Sequence, residues 1–218
     1  MKSVGIIHTT PATIASLGAL AQELLPGVQV VNLLDDSILG DMRDNHNVAF
    51  VRERWLSYAA TLEKLGVSAV LSACSTVGEF AEEADKALSV RVMRIDEAMA
   101  EEAVARGSRI AVFATLRSTL DPTVRLVERK AKEAGVATEI DTVLVEGAYD
   151  ALMAGDKAAH DAKIAQAVSE RLASADVLVL AQASMASALS SLEGAGGKVL
   201  TSPRLGMERL AKELGLAD

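Results

Sequence analysis

The sequence holds little of several residue types at once: one cysteine, three histidines, four prolines and 3% aromatic residues in 218. A single cysteine rules out an internal disulfide, and with three histidines at no ligand-like spacing it leaves no metal site to expect. With so few aromatics the interior must be filled by Ala, Leu, Val and Ile, which favours helices packed on a parallel sheet over an all-β sandwich. No apolar run approaches the roughly 20 residues of a spanning helix. The chain enters a strand at Val4 without the apolar core and cleavage site of a secretory signal, so a cytoplasmic protein is expected. A formal net charge of -8 withholds the basic stripe that nucleic acid or an anionic membrane would need. There is no GxGxxG fingerprint; the glycine cluster at 194–197 reads as a turn, so no nucleotide cofactor is expected.

What the chain does have is a regular alternation. Apolar strands at 2–7, 28–33, 67–72 and 90–95 are separated by helical patterns at 11–25, 49–65 and 79–88. The order then starts again, with strands at 109–113, 138–145, 176–180 and 198–201 and helical patterns at 124–134, 148–153, 158–172 and 203–214. This predicts an α/β fold of two similar Rossmann-like lobes, each a parallel sheet flanked by helices, with right-handed crossovers. The first lobe takes 1–97 plus 200–218 and the second 98–199. The first strand and main apolar strand of each half end at His8 and Cys74, or at Ala114 and Gln182, separations close enough to suggest a duplicated unit. Ordinary α/β periodicity without duplication would also give such spacings. Two such copies would face a ligand across a cleft.

The stretch GVSAVLSACSTVG, 66–78, carries the sharpest chemical signal. A buried parallel strand runs into Cys74, Ser75 and Thr76 just before a helix, and ligands in open α/β sheets sit outside the carboxyl ends of strands. Cys74 can serve there as acid, base or nucleophile, or simply pack as a small hydrophobe. Ser75 and Thr76 can bind a carboxylate at the helix start or only cap it. His8, with Thr9 beside it, ends the first strand and is a candidate second base. His46 and His160 read as solvated surface, and Met185 as packing. Asp35, Asp36 and Glu146 can orient a donor or cap the next helix.

The SACST turn at 72–76, the turn holding Ala114, Thr115 and Thr119, and LAQASM at 180–185 resemble the aspartate/glutamate/hydantoin racemase superfamily over nearly the whole chain. That resemblance implies two α/β lobes with the site between them, no cofactor, a small carboxylate substrate and a homodimer. It also implies a cysteine from each lobe, one to remove a proton from one face of the α-carbon and one to deliver a proton to the other. Cys74 would be the first, but Gln182 stands where the second should be, and a carboxamide exchanges no proton near neutral pH. Moving the alignment by a residue or two brings Ala183 or Ser184 there, and neither is a base. Thr9, Ser75, Thr76, Thr115, Thr119, Gln182, Ala183 and Ser184 are then expected to line the substrate and hold its oxygens. The expectation is a cofactor-independent enzyme moving a proton at the α-carbon of a small carboxylic or dicarboxylic acid, a racemase or isomerase, or a single-cysteine decarboxylase resembling the arylmalonate type. A carboxylate-binding protein without the second catalytic group is the alternative.

Overall fold

A computed structural model describes residues 2–42, 47–192 and 197–216. The chain forms two compact units, Met1–Glu97 with Pro203–Asp218, and Ala98–Ser202. The first unit contains β1 (Ser3–His8), α1 (Ala12–Leu24), β2 (Gln29–Leu34), α2 (Ile38–Met42), α3 (Val48–Lys64), β3 (Ala69–Ser72), α4 (Gly78–Ala87) and β4 (Arg91–Arg94). Next come α5 (Glu97–Arg106), β5 (Arg109–Ala114), α6 (Arg117–Ala134), β6 (Glu139–Leu144), α7 (Ala148–Met153), α8 (Lys157–Ser169), β7 (Val177–Leu180) and β8 (Val199–Thr201) of the second unit. The chain then returns to the first unit as α9 (Ser202–Glu213). The return falls at Pro203 rather than at 200 because β8 still pairs with β7.

Each unit holds a four-stranded parallel sheet, ordered β2-β1-β3-β4 in the first and β6-β5-β7-β8 in the second. The central strands read as unbroken apolar runs because helices cover both faces: all four residues of β3 and all four of β7 are buried. On one face of the first sheet Val4, Ile6, Leu17, Leu71, Met93, Met207 and Leu210 form one cluster. On the other, Ile7, Trp55, Leu62, Val70 and Phe80 form a second. In the second unit Ala111, Phe113, Ile164, Val168, Leu178 and Leu180 belong to one cluster.

The register makes the two units copies of one plan. Ile7 pairs with Ser72 as Phe113 pairs with Leu180, and the Ala73 and Ala181 N–H groups donate to the Ile7 and Phe113 carbonyls, each at 2.9 Å. In both sheets the order reverses between the first and third strands of the unit, the switch point at which ligands of open α/β sheets collect.

Several elements depart from their sequence reading. The helix expected from 124 begins at Arg117 and runs through Pro122, which costs it one backbone bond near its start. Two short helical pieces were not legible at all, α2 and a nine-residue 3₁₀ stretch, Ala183–Ser191, that follows β7. Helix α5 joins the two units where the sequence reading left an unassigned connection.

Candidate functional site

Cys74 sits one residue past the point where β3 releases its backbone from the sheet. Its own conformation is extended (φ -142°, ψ 123°), and it heads a 3₁₀ turn, Ser75–Val77, that leads straight into α4. In this position a side chain faces the backbone N–H groups of the turn it precedes, the geometry of a helix cap. The Thr9 and Thr76 hydroxyls and the Thr76 and Val77 backbone N–H groups lie around the sulfur and favour its charged form, although the side chain closes no regular cap hydrogen bond. Burial pushes the thiol above its ordinary value of 9.0, and those four neutral donors draw it back without cancelling the push. Cys74 is nonetheless half-buried, so it feels less of this than a fully enclosed thiol would. At neutral pH it rests as the thiol, with the donors that would receive a thiolate already in place.

His8 ends β1 beside this turn, as expected, but it presents no free ring nitrogen. Nδ1 lies 2.8 Å from the Thr13 hydroxyl and Nε2 2.9 Å from Asn32 Oδ1. A neutral ring can donate Nε2–H to Asn32 Oδ1, while the Thr13 hydroxyl at Nδ1 also lies 3.1 Å from the Thr10 carbonyl and shares its one proton between them. Burial lowers the ring's pKa from 6.5, only partly opposed by the Asn32 bond. Both nitrogens serve the join between β1, β2 and α1, and a proton-transferring His8 would first have to give up one of these bonds. Neither Asn32 nor Thr13 stood out in the sequence, because each lies inside an ordinary strand or helix pattern.

In the second unit Gln182 occupies the place of Cys74. It is extended (φ -106°, ψ 136°) and heads the 3₁₀ stretch Ala183–Ser191, as Cys74 heads its own turn. Its partner is the matching residue too. Thr115 follows β5 as Thr9 follows β1, and Thr115 donates both its backbone N–H (2.6 Å) and its hydroxyl (2.8 Å) to Gln182 Oε1. The amide oxygen is thus fixed, which leaves the half-buried carboxamide with N–H donors to offer. Ala183 and Ser184 are half-buried on the same stretch, and Thr119 is buried within the first turn of α6.

The Ser75 hydroxyl donates to the buried Asp96 carboxylate. The Asp35 carboxylate accepts from Ser37 N–H (3.1 Å), Ser37 Oγ (2.7 Å) and the Tyr58 hydroxyl (2.8 Å), a turn-closing role ahead of α2. His160, read as surface, is fully buried: His160, Ile164 and Val168 form one inward stripe on α8, and Nδ1 bonds Asp161 at 2.8 Å. That stripe was present in the sequence. Met185 is buried in the second unit's core. His46 and the glycines at 194 and 196 lie outside the described residues. Among the described residues no group of three or more His, Cys, Asp or Glu could hold a metal ion, and no helix is long and apolar enough to cross a membrane.

Solved structures share this architecture along the whole chain. Glutamate racemase from Francisella tularensis superposes with a TM-score of 0.77 at 13% identity, over 100% of this chain and 83% of that one. Allantoin racemase from Klebsiella pneumoniae gives 0.74 at 18%, over 100% and 90%. Aspartate racemase from Picrophilus torridus gives 0.70 at 17%, over 97% and 95%. At these identities the likeness is one of fold, and the sequence matches none of the curated proteins. The family assignment comes from the sequence itself: residues 4–210, from the first strand to within the last helix and including both strand-end turns, match the Asp/Glu/Hydantoin racemase model, and the chain belongs to that family.

Proposed function

We propose that this chain is a cofactor-independent enzyme that moves a proton at the α-carbon of a small carboxylic or dicarboxylic acid, with Cys74 as its one proton-transferring group. The observation that carries this is the pairing of Cys74 with Gln182: equivalent strand-end positions with matching threonine partners, one able to exchange a proton and the other not. Structural relatives include glutamate, allantoin and aspartate racemases, and each of those compounds carries a hydrogen on a carbon next to a carbonyl, which supports a substrate of that kind. Inversion by two groups needs a base on one face and an acid on the other, and the matching strand ends carry one thiol and one carboxamide, which supports a one-group reaction. The reaction is accordingly one-sided. In one form, a C–CO₂ bond breaks, CO₂ leaves, and the thiol gives its proton to the carbon of the resulting enediolate. In the other, a thiolate takes the α-proton and returns a solvent proton to the same face. Thr9 and Thr76 hold the sulfur through either change of charge.

The test is proton NMR in deuterated water with a panel of small α-substituted mono- and dicarboxylic acids. Exchange of an α-proton with retained configuration, or decarboxylation, is expected for the native protein, with turnover lower by about 100-fold or more in Cys74→Ala. Turnover unchanged in a folded Cys74→Ala variant would remove the proposal. A second reading, a carboxylate-binding protein, draws on the same Gln182 and is favoured if ligands broaden without any exchange.

A further inference from the structure

Behind the Cys74 turn lies a buried charge cluster that the proposed reaction does not use. Arg94 ends β4 and is 3% exposed; Asp96, two residues on, is fully buried. Arg94 Nε and Nη2 donate to the two Asp96 carboxylate oxygens at 2.6 and 2.9 Å, and Nη1 donates to Glu82 on α4 at 2.5 Å. Burial works against both charges, yet each holds the other ionised: Arg94 is raised and Asp96 lowered from its usual value. Removing such ions from water costs several kcal/mol each, and apolar pairs often replace them without loss, so stability alone is a weak account of the cluster.

Its contacts are more specific. Asp96 accepts the Ser75 hydroxyl at the start of the turn. At the other end the guanidinium lies against Gly78, where an added Cβ would stand 2.5 Å from Arg94 Cζ. The ion pair therefore grips both ends of the segment 75–78. Between those ends are the Thr76 and Val77 N–H groups that face the thiol.

We propose that Arg94 and Asp96 are positioning residues, a brace that fixes the turn from Ser75 to Gly78 and, through it, the two backbone N–H groups aimed at Cys74. This rests on the reading of Cys74 as the proton-transferring group and deepens it. Backbone dipoles stabilise a developing charge only when they are already oriented. The brace carries one cation against two carboxylates, so its own field does not favour a thiolate. Its effect runs through geometry.

Because the chain has a single cysteine, thiol alkylation reads Cys74 alone. The pH dependence of iodoacetamide alkylation would be measured for the native chain, Ser75→Ala, Ser75→Thr and Arg94→Lys, with circular dichroism to verify folding. Ser75→Ala removes the link without changing charge, and Arg94→Lys keeps the charge but loses the fork. Both are expected to slow alkylation at neutral pH about three- to tenfold while reaching the native plateau at high pH, because less of the thiol is ionised. Ser75→Thr restores the native profile. A native midpoint in folded Ser75→Ala would overturn the proposal, and that variant decides alone if Arg94→Lys does not fold. Alkylation needs no substrate, so this result and the Cys74→Ala turnover result fail independently.

Discussion

His8 shows how much a residue's partners alter what its type suggests. An imidazole at a strand end beside a thiol invites a catalytic reading, but Thr13 and Asn32 occupy both nitrogens and burial keeps the ring neutral. That has a consequence for stability. In the folded chain the His8 pKa lies below its ordinary 6.5, so near and below 6.5 the unfolded chain binds a proton the folded one does not. The stability His8 contributes is complete above 6.5 and is lost as pH falls through the folded value. Urea midpoints taken at about pH 7.5 and about pH 5.5 should drop on acidification, and His8→Gln should shrink that drop. An equal drop in the variant would assign the sensitivity to other groups. The lowered carboxylates, Asp35, Asp96, Asp161 and Asp176 from 3.8 and Glu83 from 4.5, act below this window and leave it clear.

At the scale of elements, close backbone approach sets where helices can sit. Gly206 on α9 lies against the end of the first sheet, where an added Cβ would meet the Ile95 carbonyl oxygen at 2.5 Å. Backbone on both sides cannot yield as a flexible side chain would, so Gly206→Ala should destabilise the protein by about 1–3 kcal/mol. Gly18, inside α1, supplies the contrast, since a Cβ added there would meet nothing within 4 Å. Gly18→Ala should stabilise by up to about 1 kcal/mol, because alanine is the better helix former. Denaturant melts of the two variants check both signs together. The strands, by contrast, were readable from sequence to within a residue or two, because apolar runs bounded by polar turns survive any packing. The short helices α2 and Ala183–Ser191 were not, because they hold too few residues to show a period.

At the scale of the whole molecule, the first unit is discontinuous. Met207, Leu210, Ala211 and Leu214 complete the cluster formed by Val4, Ile6, Leu17 and Leu71, although more than half the chain lies between them. Ending the chain after Thr201 would strip that face of its cover while leaving the second sheet with all its strands. The truncated chain should lose the first unit to limited proteolysis and keep a protected fragment spanning the second. Protection of both units would show that α9 is dispensable to the fold.

The sequence by itself determined the two α/β units, the strand ends that would carry chemistry, and the presence of one thiol with a carboxamide at the matching place in the second unit. These follow from patterns of residues near one another in the chain: alternation of apolar runs, turn chemistry, and the count of ionisable types. Only the tertiary structure decided what each polar group is bonded to. His8 is spent on Thr13 and Asn32, His160 faces the core, Gln182 is clamped by Thr115, and Arg94 with Asp96 stands behind the Cys74 turn. Thr115 and Gln182, or Ser75 and Asp96, meet because parallel strands bring distant segments to one sheet edge, and no spacing along the chain encodes which hydroxyl will face which acceptor there.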